Sequence, residues 1–306
     1  MFEPEPRYHV PVLLTPVLET ARGARRVVDA TLGDGGHAAA LLSIGAQVLG
    51  IDRDPEAIAI SRSRLGEAGI QYLQASYGAP EALEAVTRFG PEFILLDLGV
   101  SSRQLDEEGR GFTFRPGAPL DMRMGSGDHT AARLLNEADA ATLEQIFRDY
   151  GDERRARRLA AEIARRRQRQ RFSTSDDLVN AVRAVLGPQS GPGDFARIFQ
   201  AVRIAVNREL EELEEALPVF RDALKPEGRL SIITYHSGED RLVKHAFRSW
   251  SAGCVCPPGL PVCICGARPL GRVEPRKPVI PGSEELEANP RARSAKLRTF
   301  VVNASA

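Results

Sequence analysis

The sequence predicts an α/β fold in which a parallel sheet is interrupted by a helical insert. Short apolar segments alternate with helix-forming segments over 27–96, and this alternation is typical of a doubly wound parallel sheet. The alternation then stops, and strand-like apolar segments return at 229–234 and 297–302. The expected parts are a discontinuous sheet domain and a helical domain, over 1–112 with 195–306 and over 113–194, respectively.

The elements of the first half follow from the alternation. A short helix over 15–21 precedes the sheet. The strands are predicted at 27–30, 47–51, 71–74 and 93–96. The helices between them are predicted at 37–44, 55–65 and 80–89. The fourth strand, Phe93-Ile94-Leu95-Leu96, is wholly apolar, which a strand covered by helices on both faces requires.

The second half is predicted to be mainly helical. Leu98–Met124 is rich in Gly, Ser, Arg and Asp and is predicted to be one long loop, a feature that is usually functional. Helices are predicted over 130–186, with breaks near Gly151 and Phe172, and again over 195–217. The glutamates near the end of the helix over 195–217 are expected to form a solvated surface: Glu209, Glu211, Glu212, Glu214 and Glu215.

Composition and charge narrow the functional classes. The chain of 306 residues carries 41 basic and 41 acidic side chains, so its net charge gives no sign of nucleic-acid binding. No apolar run has the length of a membrane span, and the first residues do not have the pattern of a signal peptide. These observations predict a soluble cytoplasmic protein without a membrane partner.

The charge is nevertheless unevenly distributed. Arg148–Arg171 holds ten arginines and four acids. Apolar residues at helical spacing form one stripe of this segment, and four arginines lie opposite it: Arg154, Arg158, Arg165 and Arg169. Such a face is either simply solvated or bound to phosphates, and the excess of arginine favours phosphate contacts.

A glycine-rich turn after the first strand predicts a nucleotide site. The strand ends at Asp29, and Gly33, Gly35 and Gly36 precede a helix-forming segment. Glycines permit positive φ and close approach of a ligand, while the helix start offers free N–H donors. Asp52 ends the second strand, where a doubly wound sheet binds ribose hydroxyls. The sequence therefore predicts a cofactor that contains adenosine.

Two such cofactors remain possible at this turn. Gly33, Gly35 and Ala38 match the weaker form of the NAD motif. The carboxylate of Asp29 favours S-adenosylmethionine, because a negative charge suits its cationic, amine-bearing end better than a pyrophosphate. A dehydrogenase is the alternative, although no Tyr-x-x-x-Lys dyad is present.

Polar residues after two later strands are candidates for catalysis. Asp97 and Ser101 follow the fourth strand, and Tyr235 and His236 follow the strand at 229–234. Ligands of open α/β sheets bind outside the carboxyl ends of the strands. Acceptors around Asp97 suit the orientation of an attacking exocyclic amine, Tyr235 suits stacking on a base, and His236 suits a hydrogen bond or proton relay.

Four cysteines form two C-x-C arms around a proline-rich turn: Cys254, Cys256, Cys263 and Cys265. Four thiolates held together in this way suit a structural Zn²⁺. The usual spacing is C-x₂-C, so reduced thiols and, less readily in the cytosol, disulfides remain alternatives.

Several segments of the sequence match the motifs of one known protein family. They are His9–Leu14, Asp29–His37, Gly50–Pro55, Leu95–Gln104, Arg110–Phe112, Pro119–Met124, Phe199–Ile204 and Asn289–Ser294. Together they resemble the bacterial ribosomal RNA small subunit methyltransferase H family over nearly the whole chain. The segment Leu120-Asp121-Met122-Arg123-Met124 is the most specific of them. Before His236, Thr234-Tyr235 departs from the more usual Ser-Phe of that family.

The resemblance implies a Rossmann-like methyltransferase with a helical insert, which methylates N4 of a cytidine in the decoding region of 16S rRNA and uses S-adenosylmethionine. It implies cofactor contacts at Gly35, Gly36, His37, Asp52, Asp97 and Gln104, with Tyr77 beside the adenine. The rRNA substrate is expected within the 30S particle. Beyond the arginine-rich segment, RNA contacts are expected at Arg103, Arg123, Arg291 and Arg293. The sequence leaves open the oligomeric state, and a non-catalytic assembly factor is the further alternative.

Overall fold

The computed structural model describes residues 10–253, 256 and 268–304. The chain forms two compact units. The first combines Met1–Gly99 with Leu210–Ala306, and the second is Val100–Glu209. The insert predicted over 113–194 lies inside the second unit.

The first unit is built on a mixed sheet. Its strands are β1 (Arg26–Asp29), β2 (Gln47–Asp52), β3 (Ile70–Gln74), β4 (Phe93–Asp97), β5 (Arg229–Thr234), β6 (Gly271–Val273) and β7 (Lys296–Val302). Their order is β3-β2-β1-β4-β5-β7-β6. The first five strands are parallel, whereas β7 runs antiparallel to β5 and β6. The order reverses between β1 and β4, so these two strands flank the topological switch point.

Helices connect and cover these strands. They are α1 (Leu14–Ala21), α2 (Gly36–Ser43), α3 (Pro55–Leu65), α4 (Pro80–Phe89), α11 (Glu209–Ala223), α12 (Ser237–Trp250) and α13 (Ser283–Ala288). The start of α3 follows from local sequence, because the Asp54 side chain accepts from the Glu56 amide and Pro55 occupies the first turn. Ile94, Leu95 and Leu96 of β4 are fully buried. The predicted α/β class is thus confirmed.

The second unit is helical. Its helices are α5 (Ser102–Asp106), α6 (Ala131–Glu137), α7 (Ala140–Asp149), α8 (Ala156–Arg166), α9 (Ser175–Leu186) and α10 (Pro192–Asn207). Phe147, Leu159 and Ile198 are fully buried in one hydrophobic core. The same core takes in Leu120 and Phe199, which lie near the two ends of the unit. Burial of Phe199 explains why the unit extends beyond 113–194.

The single helix predicted over 195–217 is wrong. The chain breaks between α10 and α11 at Arg208, which has a left-handed φ of 51°. Next to it the buried Asn207 donates to the carbonyl of Met122 at 2.8 Å and accepts from the amide of Met124 at 2.9 Å. The apolar periodicity continues through the break, so the pattern does not reveal a stop that depends on a distant loop.

The loop predicted over Leu98–Met124 also contains regular structure. Its first part forms α5 and a 3-10 turn at Glu108–Arg110. The short strand β6 and helix α13 lie in segments where the sequence predicts no element. Among the described residues, no helix combines the length and the apolar character that a membrane crossing needs.

Candidate active site

The glycine turn after β1 is fastened to the next strand and helix. The Gly33 amide donates to Asp52 Oδ2 at 2.8 Å, and the Ser61 hydroxyl donates to the Gly33 carbonyl at 2.7 Å. Gly35 has a φ of +75°, and a Cβ there would lie 2.9 Å from side-chain atoms of Ser61 and Leu65. The turn therefore needs glycine for its conformation and for its packing.

Asp29 and His37 are buried at the two ends of this turn, with relative exposures of 1% and 6%. Asp29 Oδ1 accepts from the Thr31 amide at 3.3 Å. Asp29 Oδ2 and both ring nitrogens of His37 have no hydrogen-bond partner among the described residues. Burial raises the pKa of Asp29 to about 6, and the nearby His37 opposes this shift. Buried polar atoms without partners are costly, so these atoms indicate a bound polar ligand.

Asp52 ends β2 with both carboxylate oxygens engaged. Oδ2 accepts from the Gly33 amide and Oδ1 accepts from the Asp54 amide, each at 2.8 Å. Burial raises the pKa of Asp52, while the two backbone donors lower it. Each oxygen keeps a further lone pair, so Asp52 fastens the turn and still has acceptor capacity for a ligand hydroxyl.

Asp97 ends β4 on the other side of the switch point. Its amide donates to the Thr31 hydroxyl at 2.6 Å, and its Oδ1 accepts from the Tyr235 hydroxyl at 2.8 Å. Its Oδ2 lies 3.6 Å from His37 Nε2, and 24% of its side chain is exposed. Asp97 is thus a carboxylate that is fixed on one oxygen and reachable on the other.

The residues after β5 make structural contacts, and the direct part of Tyr235 and His236 in catalysis stays a prediction. The hydroxyl of Tyr235 is bonded to Asp97, and its ring lies beside Gly99. His236 is the N-cap of α12, and its Nδ1 accepts from the amides of Gly238 and Glu239. Helix α12 thus begins at Ser237, and the residue before it supplies the cap. Sequence patterns favour Ser as a cap, and the imidazole takes this role here.

Ser101 and Gln104 belong to the second unit. The Ser101 hydroxyl accepts from the Gln104 amide at 3.2 Å, and Gln104 Oε1 accepts from the Ser101 amide at 3.1 Å. This capping box begins α5. The structure gives both side chains a structural role, and their direct part in catalysis or cofactor binding stays a prediction.

Glu212 is a residue near the sheet edge that sequence analysis missed. Only 12% of its side chain is exposed, and it contacts Arg53 at 2.8 Å and the Ser76 hydroxyl at 2.5 Å. It thereby joins the segments that follow β2 and β3. Tyr77, predicted to flank the adenine, lies in the second of these segments, with its ring centroid 6.5 Å from that of Phe220. The predicted solvated role of Glu212 is wrong.

The predicted RNA-binding arginines fall into two groups. Arg123 makes a bidentate pair with Asp121, and Arg165 makes one with Glu162. Arg103 contacts Glu107 at 3.2 Å, with 16% of its side chain exposed. Their guanidinium groups are therefore already engaged. The remaining predicted arginines are exposed: Arg154, Arg158, Arg169, Arg291 and Arg293.

The arginine-rich segment is also less helical than predicted. Helix α8 spans Ala156–Arg166, so Arg154 precedes it and Arg169 follows it. The buried stripe of α8 includes Leu159 and Ile163, which confirms the predicted apolar face. Of the four predicted zinc ligands, Cys254, Cys263 and Cys265 lie outside the described residues. Cys256 is described and partly exposed.

Comparison with known proteins places this chain in a family. A family model described as the MraW methylase family matches residues 7–302. A protein of Gemmatimonas aurantiaca called Ribosomal RNA small subunit methyltransferase H is 57% identical over 298 residues, or 96% of this chain and 95% of its own. A protein of the same name from Heliobacterium modesticaldum is 46% identical, over 95% and 97% of the two chains.

A solved structure described as an rRNA methylase from Streptococcus thermophilus covers 95% of this chain and 93% of its own, at 12% identity and a TM-score of 0.41. A similarity that low supports no argument about this chain. The match to the family model and the identity to the two relatives extend over nearly the whole sequence. The chain belongs to the MraW methylase family, and it is a methyltransferase.

Proposed function

We propose that this chain transfers a methyl group from S-adenosylmethionine to the exocyclic N4 amine of a cytidine in the decoding region of 16S rRNA. Its relatives are named as methyltransferases of ribosomal small-subunit RNA. One observation carries the chemistry. The Asp97 carboxylate is held at the switch point beside Asp29 and His37, whose buried polar atoms have no hydrogen-bond partner among the described residues.

The residues around the glycine turn fit such a cofactor. Asp29 Oδ2 is a buried acceptor for the cationic amine, and Asp52 keeps lone pairs for the ribose hydroxyls. The absence of a side chain at Gly33 leaves the backbone open to close approach. His37, in the first turn of α2, offers a ring nitrogen to a polar group of the ligand. Contacts from Gly36, Tyr77 and Gln104 complete the proposed set.

The proposed reaction needs no covalent bond between the protein and the substrate. When bound, the cofactor supplies a methyl group on a sulfonium, whose C–S bond breaks with its electron pair left on sulfur as N4 takes the methyl group. The methylated nitrogen is then positively charged and must release one proton. Asp97 Oδ2 accepts an N4 hydrogen bond before the transfer and takes that proton after it. Orientation of the amine supplies much of the rate.

The proposal is tested by methyl transfer from tritiated S-adenosylmethionine to free 16S rRNA and to 30S particles. We expect the label on N4 of a single cytidine in nucleosides digested from the product, and more of it with 30S particles. Asp97→Asn is expected to lose about a hundredfold or more in rate while it keeps its cofactor affinity. Label on a ring carbon, or no transfer to either substrate, contradicts the proposal. Cofactor binding without any transfer favours the assembly factor instead.

We also propose one structural Zn²⁺ at the cysteine cluster. The support comes from the two C-x-C arms, which bring four thiols together within twelve residues. Elemental analysis of protein purified without chelators is expected to find one zinc per chain. The ion is not needed for the chemistry, so the rate is expected to persist when the metal is removed and the fold is retained. A zinc-free protein contradicts the proposal.

A further inference from the structure

Tyr235 and Asp97 are brought together by the pairing of two strands. Strands β4 and β5 run parallel with Asp97 opposite Ile233, so Tyr235 emerges at the same sheet edge two residues later. Its hydroxyl donates to Asp97 Oδ1 at 2.8 Å, and its amide donates to Glu239 Oε2 at 2.8 Å. The tyrosine is therefore fixed at its backbone and at its tip.

We infer that Tyr235 is a positioning residue that holds Asp97 Oδ1 so that Oδ2 faces the substrate amine. This inference rests on the proposed function, since it assigns Asp97 the N4 proton. It replaces the stacking role that the sequence suggests for Tyr235. The Tyr235 hydroxyl is engaged by Asp97, its ring edge lies next to Gly99, and the side chain packs against the hydrophobic core on that side of the sheet.

The surrounding charges keep Tyr235 a hydrogen-bond donor. Burial and the Asp97 carboxylate raise the pKa of Tyr235 well above its usual value, and Glu239 and Glu285 act in the same direction. The phenol consequently remains neutral over the working pH range. Among the described residues, Asp97 contacts the Tyr235 hydroxyl from the end of β5, lies 3.6 Å from His37 of α2 and interacts electrostatically with Asp29 of β1.

Loss of the hydroxyl has two consequences for Asp97. The carboxylate loses the hydroxyl donor that holds its Oδ1. It also becomes free to rotate, and its alignment with the amine is less often correct. Both effects lower the rate of the chemical step and leave binding of RNA unchanged.

The test compares Tyr235→Phe with the wild type in steady-state assays, with single-turnover runs that isolate the chemical step. We expect kcat to fall by about tenfold, the cost of one hydrogen bond to a charged group. We expect KM for the RNA and the cofactor Kd to stay constant. Tyr72→Phe is the matched control, because the Tyr72 hydroxyl donates elsewhere, to the Gly66 carbonyl at 2.6 Å.

A double-mutant cycle with Asp97→Asn protects the test against a folding defect. If Tyr235 acts through Asp97, the double variant is no slower than Asp97→Asn alone. Additive losses overturn the inference, as does a Tyr235→Phe enzyme with a wild-type rate. A higher KM with unchanged kcat restores the stacking role and also overturns it. Failure of the wild type to methylate RNA, by contrast, is a failure of the proposed function.

Discussion

The Asp29 carboxyl and the His37 imidazole interact electrostatically across the glycine turn, and both are buried with polar atoms unpaired among the described residues. In the free protein, these buried atoms without hydrogen-bond partners raise the free energy of the folded state. A cationic and polar ligand that completes these hydrogen bonds removes that cost. Stability is thus given up at the place where the ligand binds, and this exchange can be measured.

Asp29→Asn is expected to stabilise the free protein at neutral pH. The pKa of Asp29 is about 6 in the folded chain, against 3.8 ordinarily, so the folded state binds this proton more tightly than the unfolded state. The contribution to the free energy of unfolding is therefore greatest below pH 3.8 and is lost as the pH rises through 6, by about 3 kcal/mol in all. Urea unfolding at about pH 4.5 and pH 7.5, on either side of the folded-state pKa, measures the gap between variant and wild type.

The control for this experiment is Asp139→Asn. Asp139 caps α7 by accepting from the Thr142 amide at 2.7 Å, and that hydrogen bond lowers its pKa. Its substitution should destabilise the protein by nearly the same amount at both pH values, because both lie above the ordinary pKa of 3.8 and the folded-state pKa is lower still. An Asp29→Asn variant whose stability relative to wild type does not change with pH shows that Asp29 is not the buried acid described above.

Asp52→Asn is expected to weaken cofactor binding at least about tenfold. A carboxylate acceptor of the ribose hydroxyls is lost, and hydrogen bonds to charged groups contribute about 1.5–3 kcal/mol. Asp52→Ala should also lower the melting temperature, because the amides of Gly33 and Asp54 lose their acceptor. Calorimetric titration with S-adenosylmethionine measures the affinity, with Asp139→Asn as the control. An unchanged Kd excludes the ribose role.

The order of the first elements could be predicted from local sequence. Predicted helices 55–65 and 80–89 coincide with α3 and α4, because Pro at the first turn and Gly after the last turn mark both boundaries. The acids Asp29, Asp52 and Asp97 could be placed at one sheet edge, because parallel strands end together. Strand topology and side-chain chemistry were therefore enough to predict which acids form the candidate site.

The partners of those acids could not be predicted in the same way. The hydrogen bond between Tyr235 and Asp97 depends on β4 and β5 being neighbours, although the whole of the second unit lies between these two strands in the sequence. The break at Arg208 depends on the contact of Asn207 with Met122, far away in the sequence. By contrast, the capping box of α5 is visible as Ser101-x-x-Gln104, a local signal that the prediction of a long loop overlooked.

Glu212→Ala is expected to lower the free energy of unfolding by about 1–3 kcal/mol, since its mostly buried carboxylate accepts from Arg53 and Ser76. Glu212→Gln should cost less, because the amide oxygen can still accept one of these bonds. The matched control is Glu214→Ala on the same helix, whose side chain is exposed. Chemical denaturation measures all three variants. If Glu212→Ala and Glu214→Ala lower the free energy of unfolding equally, the Glu212 side chain is simply solvated, as the sequence predicts.

The exposed arginines around α8 are expected to contribute RNA affinity and no chemistry. Arg154→Ala with Arg158→Ala should weaken binding to 30S particles and flatten its dependence on salt, by about 0.7–0.9 in slope for each phosphate that is no longer neutralised. Arg165→Ala should have a smaller effect, because its guanidinium is held by Glu162 at 2.7 Å. Filter binding over a range of salt concentrations gives the slopes, and cofactor affinity should stay constant. If the double variant keeps the wild-type slope, this surface is only solvated, and the RNA contacts lie with the exposed Arg291 and Arg293 instead.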